Sequence, residues 1–149
     1  DKVFNEGLYD PANEPDIAYP YLYSRVKGEQ WRTWATVHNL LAKHYHNAPN
    51  GIPGNDDTGT MSAWAVFSMM GFYPVTPGLP EYQLGSPVFS KVTIHQESGK
   101  SFVVAAPKAS RDAKYVAAAT LGGRPLSGTA IPHASLLAGE TLRLEMTAD

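Results

Sequence analysis

Hydrophobic periodicity changes once along this chain, and that change limits the folds open to it. Up to about Gly71, apolar residues recur every three or four positions. After "FYPVTPG" they fall into short β-branched or aromatic runs separated by Gly, Pro and Ser. In the first part, Tyr21, Leu22, Arg25 and Val26 predict a short helix entered through Pro20 and stopped at Gly28. Trp31, Trp34, Val37, Leu40, Leu41, His44 and Tyr45 predict one amphipathic helix that ends at "NAPNG". A third helix carries Met61, Trp64, Ala65, Phe67, Ser68 and Met69, with Thr58 or Asp57 as its cap and Gly71 closing it. Its faces are nearly all apolar, so burial on most sides is expected.

The second part offers six short runs: "EYQLG", "KVTIHQ", "SFVVAAP", "KYVAAATL", "RPLSG" and "TLRLEM". Near-regular spacing with turn residues between them predicts a small antiparallel, sandwich-like β domain. The fold class is therefore α+β, with a helical part over residues 1–75 and a β part over residues 76–149. Two or three helices make a thin layer by themselves, so a piece of a larger chain is expected.

Composition closes several functional classes. A net charge of -2 leaves no electrostatic footprint for nucleic acid. No apolar run approaches the roughly 20 residues that span a bilayer. With no cysteine, disulfide frameworks and thiolate metal sites are excluded. Dinucleotide, Walker and nucleophile-elbow patterns are absent, and no His-x-x-x-His pair carries a nearby Glu. His44, on the apolar stripe, reads as a core histidine.

What remains is acidic. "GIPGNDDTGTMSAW", Gly51 to Trp64, sets Asp56 beside Asp57 on a glycine-punctuated turn. Adjacent carboxylates repel, so they need a ligand, a proton or a structural partner. A carboxylate at the following helix N-terminus is favoured as an anion by about 0.3–1 kcal/mol, which suits a base or a metal ligand. The bland alternative is that Asp57 merely caps the helix while Asp56 is solvated. An EF-hand is excluded, because Val66 stands where its bidentate Glu belongs.

A second acidic loop, "DPANEPDIAYPYLY", offers Asp10, Asn13, Glu14 and Asp16 between prolines. Its oxygens suit a hard cation such as Ca²⁺ or sugar hydroxyls, with Tyr19, Tyr21 or Tyr23 as a stacking wall. Alternatively it is a solvated turn with Asp16 as a helix cap. The helical hairpin between the two loops should bring Glu14 and Asp57 to the same end of the helical layer. Paired acids on one rim are what glycoside hydrolysis requires.

Longer motifs then narrow the choice. "NEPDI…PYLY", "GIPGNDDTGTMSAW", "MGFYPVTPG", "EYQLGSPVF" and "IPHASLLAGETLRLEM" together resemble, in order, the C-terminal part of glycoside hydrolase family 92. That family usually has two glycines where this chain has Gly139-Glu140, and many members have Cys where it has Thr58. The resemblance implies calcium-dependent, exo-acting α-mannosidases, mostly bacterial, that degrade glycans such as N-glycans with inversion. It implies a helical segment of an (α/α)₆ barrel followed by the β domain, and a secreted or periplasmic location. Asp57 would correspond to the general base, with Asp56 its acidic neighbour. Glu14 and Asn13 would contact the mannose, and Glu14 and Asp57 would lie at the calcium. The general acid lies upstream, so this chain would need the upstream portion of the same enzyme and be inactive alone. An α-1,2 linkage is the expectation, with α-1,3, α-1,4 and α-1,6 left open by the sequence. A non-catalytic carbohydrate- or calcium-binding module is the competing reading.

Overall fold

A computed structural model describes residues 2–149. The helical part contains α1 (Lys2–Asn5), α2 (Tyr19–Leu22), α3 (Gln30–His44) and α4 (Thr60–Met70). Pro20 sits in the first turn of α2, where a missing N–H costs nothing, and a 3₁₀ turn (Tyr23–Arg25) extends it before Gly28. On α3, Thr33, Val37, His38, Leu40 and Leu41 form the buried stripe. Tyr45 turns extended after it, and a tight loop closes with the His46 N–H donating to the Gly51 carbonyl. Only glycine fits at that closure, since a Cβ on Gly51 would lie 1.8 Å from the His46 oxygen.

Helix α4 buries Met61, Trp64, Ala65 and Ser68, and left-handed Gly71 stops it. The opposite face is open, with Val66 half exposed, so the expectation of burial on most sides does not hold within this chain.

Strands follow at once: β1 (Phe72–Tyr73), β2 (Glu81–Leu84), β3 (Lys91–His95), β4 (Ser101–Ala105), β5 (Tyr115–Leu121), β6 (Arg124–Pro125), β7 (Ala130–Pro132), α5 (His133–Ala138) and β8 (Thr141–Thr147). They form a three-stranded sheet, β1-β2-β7, and a five-stranded sheet, β3-β4-β8-β5-β6. Phe72, Leu84 and Ile131 from the first pack with Phe102, Val104, Leu142 and Leu144 from the second in one core. Truncating an aromatic such as Phe102 there costs about 3–5 kcal/mol.

The fold is α+β, but the larger sheet is mixed rather than wholly antiparallel. β8 enters between β4 and β5 and runs parallel to β4, because α5 returns the chain to the edge where β4 began. Two polar clamps join the parts. Ser24 Oγ donates to the Gln83 side chain at 3.1 Å, and Thr129 Oγ1 reaches the same oxygen at 3.0 Å. Buried His38 bonds both the backbone oxygen and the hydroxyl of Ser86, and that hydroxyl donates to the Lys114 carbonyl. His38, not the partly exposed His44, is thus the core histidine: the burial stripe of α3 runs through Val37, His38 and Leu41.

Candidate active site

The first acidic loop is closed by its own side chains. Asp16 is buried and accepts the Asp10 N–H at 3.1 Å, while Asp10 accepts the Ala12 N–H at 2.9 Å. Asp16 is therefore a loop clasp and not the cap of α2, whose N-cap is Ala18. Asn13 precedes the 3₁₀ turn Glu14–Asp16 in extended conformation and makes no side-chain cap, so both Asn13 and Glu14 face outward. Of the three tyrosines, Tyr21 is fully buried with its hydroxyl 2.9 Å from Ser68, which removes it from any sugar-facing wall.

The second loop is more strained. Asp57 (φ 45) and Thr58 (φ 62) occupy left-handed conformations, followed by Gly59 (φ 96). Such conformations cost non-glycine residues of order 1–3 kcal/mol and persist only where surroundings enforce them. Gly59 is the N-cap of α4 and makes no side-chain cap, so neither Thr58 nor Asp57 fills that role. Asp56 does the anchoring instead. Its Oδ1 accepts the Ser62 N–H at 2.7 Å and its Oδ2 accepts the Ser62 hydroxyl at 2.8 Å. The bland sequence reading is inverted: Asp56 is held and Asp57 is presented.

The two loops touch. Gly54 stands so close to Ala12 that a Cβ on it would lie 2.5 Å from the Ala12 methyl. Trp64, stacked on Tyr45 at 5.5 Å between ring centres, donates its indole N–H to the Ile17 carbonyl at 2.9 Å. This contact brings the carboxyls of Glu14 and Asp57 within hydrogen-bonding reach. Glu14 is held below its ordinary range by the hydrogen bond from Asp57. Asp57 is pushed above its ordinary range, first by that bond and further by desolvation and the charges of Glu14 and Asp56. Of the two, Asp57 is therefore the later to lose its proton as pH rises. Behind it, burial raises the Tyr9 and Tyr45 phenols, with Asp16 and Asp56 respectively adding to the effect.

Among the described residues no group of three His, Cys, Asp or Glu side chains converges as a metal site. Glu14 and Asp57 nevertheless fit a share of a calcium site. They are hard oxygen donors whose mutual repulsion a cation relieves as a proton does. Clefts of about 380, 630 and 550 Å³ lie elsewhere, and neither Glu14 nor Asp57 lines them.

The hydroxyls of Thr60 and Ser62 were not singled out from sequence. A Thr and a Ser flanking the first turn of a helix after an Asp-Asp pair are the signal that would have found them.

Comparison with known proteins identifies the family. The profile described as "Glycosyl hydrolase family 92 catalytic domain" matches residues 1–148. A protein described as an uncharacterized secreted glycosidase of Arthroderma benhamiae is 33% identical, matching 98% of this chain and 19% of its own length. The solved family GH92 inverting mannosidase BT2199 of Bacteroides thetaiotaomicron is 41% identical, with a TM-score of 0.88 over 99% of this chain and 20% of its own. The family GH92 α-mannosidase BT3965 of the same organism, solved with mannoimidazole, is 32% identical with a TM-score of 0.88 over 93% of this chain and 18% of its own. By name one of these relatives is a secreted glycosidase and two are family GH92 mannosidases. The chain belongs to glycoside hydrolase family 92. It spans about a fifth of the length of these relatives.

Proposed function

We propose that this chain supplies the general-base side of an inverting exo-α-mannosidase. The observation that carries the reading is the Glu14–Asp57 carboxyl pair, presented by a strained turn at the meeting of two loops. Relatives named as inverting mannosidases with the same fold over this region support the substrate class. An α-1,2-linked mannoside is the linkage proposed. Because the family match is to a catalytic domain across the chain, the binding-module reading is set aside.

In the proposed reaction, Asp57 accepts a proton from water as the water oxygen bonds to the anomeric carbon. The glycosidic C–O bond breaks on the opposite face, and the leaving oxygen takes its proton from a general acid in the upstream portion of the enzyme. Inverting pairs stand roughly 6.5–9.5 Å apart, which leaves room for that water. The upward push on Asp57 makes it a stronger proton acceptor once ionised. Asn13 and Glu14 bind the sugar hydroxyls, and Glu14 and Asp57 would hold calcium as part of a larger set. When bound, that ion would polarise sugar hydroxyls and stabilise positive charge at the transition state. The strained Asp57 backbone keeps the carboxylate aimed without reorganisation at the moment of reaction. The secreted or periplasmic location is supported by the relative described as secreted. No helix of the described residues is long and apolar enough to cross a membrane.

The test is Asp57→Asn in the full-length protein, assayed with an α-linked mannobiose. Loss of at least about 10²-fold in kcat is expected for an essential base, with β-mannose the first product of the unsubstituted enzyme by NMR. Near-normal turnover by the variant, or α-mannose as first product, rejects the reading.

A further inference from the structure

The strain in the acidic turn must be enforced from somewhere, since Asp57 and Thr58 would otherwise relax to right-handed or extended backbone. Burial does not enforce it: Asp57 is half exposed and Thr58 exposed. The Asn55 side chain accepts the Asp57 N–H at 3.3 Å, and the other bonds that hold the turn come from the first turn of α4. Thr60 Oγ1 donates to the Asp57 carbonyl at 2.9 Å, and the Thr60 N–H reaches the same oxygen at 3.3 Å. Ser62 takes both carboxylate oxygens of Asp56, one through its N–H and one through its hydroxyl. The Asp56 carbonyl in turn accepts the N–H groups of Gly59 at 3.1 Å and Met61 at 3.3 Å. One aspartate is thus gripped by its carboxylate and the next by its backbone. Of the two aspartate side chains, that of Asp57 is the one which no bond from α4 holds among the described residues, and it faces Glu14.

We infer that Ser62 and Thr60 are positioning residues: their hydroxyls lock the Asp56–Gly59 turn left-handed and thereby aim Asp57 at the reacting water. The inference rests on the mannosidase reading and adds to it two residues that touch neither substrate nor reacting atoms. It also divides labour between the adjacent acids. Asp56 serves as the fixed end of the turn, and Asp57 does the proton chemistry. The hydroxyls matter more than the N–H bonds for this purpose. An amide N–H in the first turn of a helix donates to any nearby oxygen or water, whereas the Ser62 hydroxyl fixes the carboxylate of Asp56 by a second point and stops it rotating.

Ser62→Ala and Thr60→Val remove the hydroxyls while keeping a helix-compatible side chain, and Ser62→Thr restores one. In the full-length protein with saturating calcium, well below the melting temperature, the first two should each lower kcat about 10- to 100-fold. That is the scale expected when a catalytic group is misplaced by about 1 Å. KM for an α-linked mannobiose should stay within about twofold, because the turn's residues other than Asp57 do not grip the sugar. Ser62→Thr should recover most of the loss. A crystal structure of Ser62→Ala should show Asp57 out of the left-handed region and farther from Glu14. Should kcat per folded molecule stay unchanged in both hydroxyl-deleted variants, or should the turn keep its conformation, the positioning role is overturned. Failure of the underlying reading is separate: it appears as activity retained in Asp57→Asn. If Ser62→Ala is too unstable to assay, Thr60→Val with its crystal structure decides the matter by the same two readouts.

Discussion

The carboxyls of Glu14 and Asp57, from separate loops, meet within hydrogen-bonding reach, and each alters the other's proton affinity: Glu14's falls and Asp57's rises. Coupling of this kind fixes how the metal-free protein responds to pH. The carboxyl of Asp57 sits above its unfolded value, so the stability it contributes is present at low pH and fades as pH rises through its raised folded value. Glu14 has the opposite sign: its contribution is present above its unfolded value and fades as pH falls through the lowered one. Between the two, the singly protonated pair is at its best.

The first prediction follows from that window. In the presence of chelator, the melting temperature of the wild-type protein should decline as pH rises from the acidic side through the carboxylate range of Asp57. In Glu14→Gln the decline should largely vanish, because the amide donates a hydrogen bond without adding charge. Scanning calorimetry in a pH series checks this. Identical slopes in the two proteins would show that the acids do not meet in solution.

A second prediction concerns the seam between the loops. Gly54 has φ +63, and a Cβ there would sit 2.5 Å from the Ala12 methyl. Gly54→Ala therefore adds a left-handed penalty of about 1–2 kcal/mol and pushes the two loops apart. Activity on α-mannosides should fall further than stability alone explains, since Glu14 and Asp57 ride on opposite sides of the seam. Pairing the change with Ala12→Gly, which removes the opposing methyl, should return part of the activity. No recovery would mean that the seam does not set the acid pair.

Much of this was readable from residues, and the failures have physical reasons. The two-part α+β layout, helix α3 and the stop at Gly71 follow from periodicity and glycine placement, which are local. That Glu14 and Asp57 face each other follows from two loops joined by a helical hairpin. Which aspartate would be held and which presented did not follow, because it depends on left-handed backbone at Asp57 and Thr58, residues that seldom adopt it. β7 and α5 were missed: a three-residue strand ending in Pro132 and a six-residue helix are too short to show a period. The parallel β4–β8 pairing brings together segments far apart in sequence, which no local pattern encodes. His38 was passed over for His44 because the two lie on neighbouring stripes of one helix and only the docked β part decides between them.

That histidine gives a third prediction. Burial, and then the charge of Lys114, push His38 below its ordinary value of 6.5, although the bond to the Ser86 carbonyl works the other way. Neutral His38 is the form the fold accommodates. Its stabilising contribution is complete above the unfolded value and is lost as pH falls from there through the lowered folded value. Acid should therefore loosen the clamp between α3 and the β part. His38→Gln keeps a donor to Ser86 without the titration, so its unfolding midpoint in urea should fall less than wild type's between neutral pH and pH 5. Parallel loss in both would place the acid sensitivity elsewhere.

The last prediction turns on what a cation does at this pair. Two carboxyls in contact are poor neighbours as a doubly charged pair, and a divalent cation relieves the same repulsion with more charge. Calcium should therefore compete with the proton: adding it at neutral pH should raise the melting temperature of the full-length protein, and it favours the ionised form of Asp57 that a base must have. The gain should shrink in Glu14→Gln and Asp57→Asn, each of which removes an anionic oxygen donor, while Asp56→Asn should retain more of it because Asp56 is committed to Ser62. Magnesium should substitute weakly, since it demands tighter octahedral geometry than a pair of outward-facing carboxylates from two loops offers. Thermal shift across a calcium titration reads all four proteins. An equal calcium response in wild type and Glu14→Gln would take the ion away from this pair.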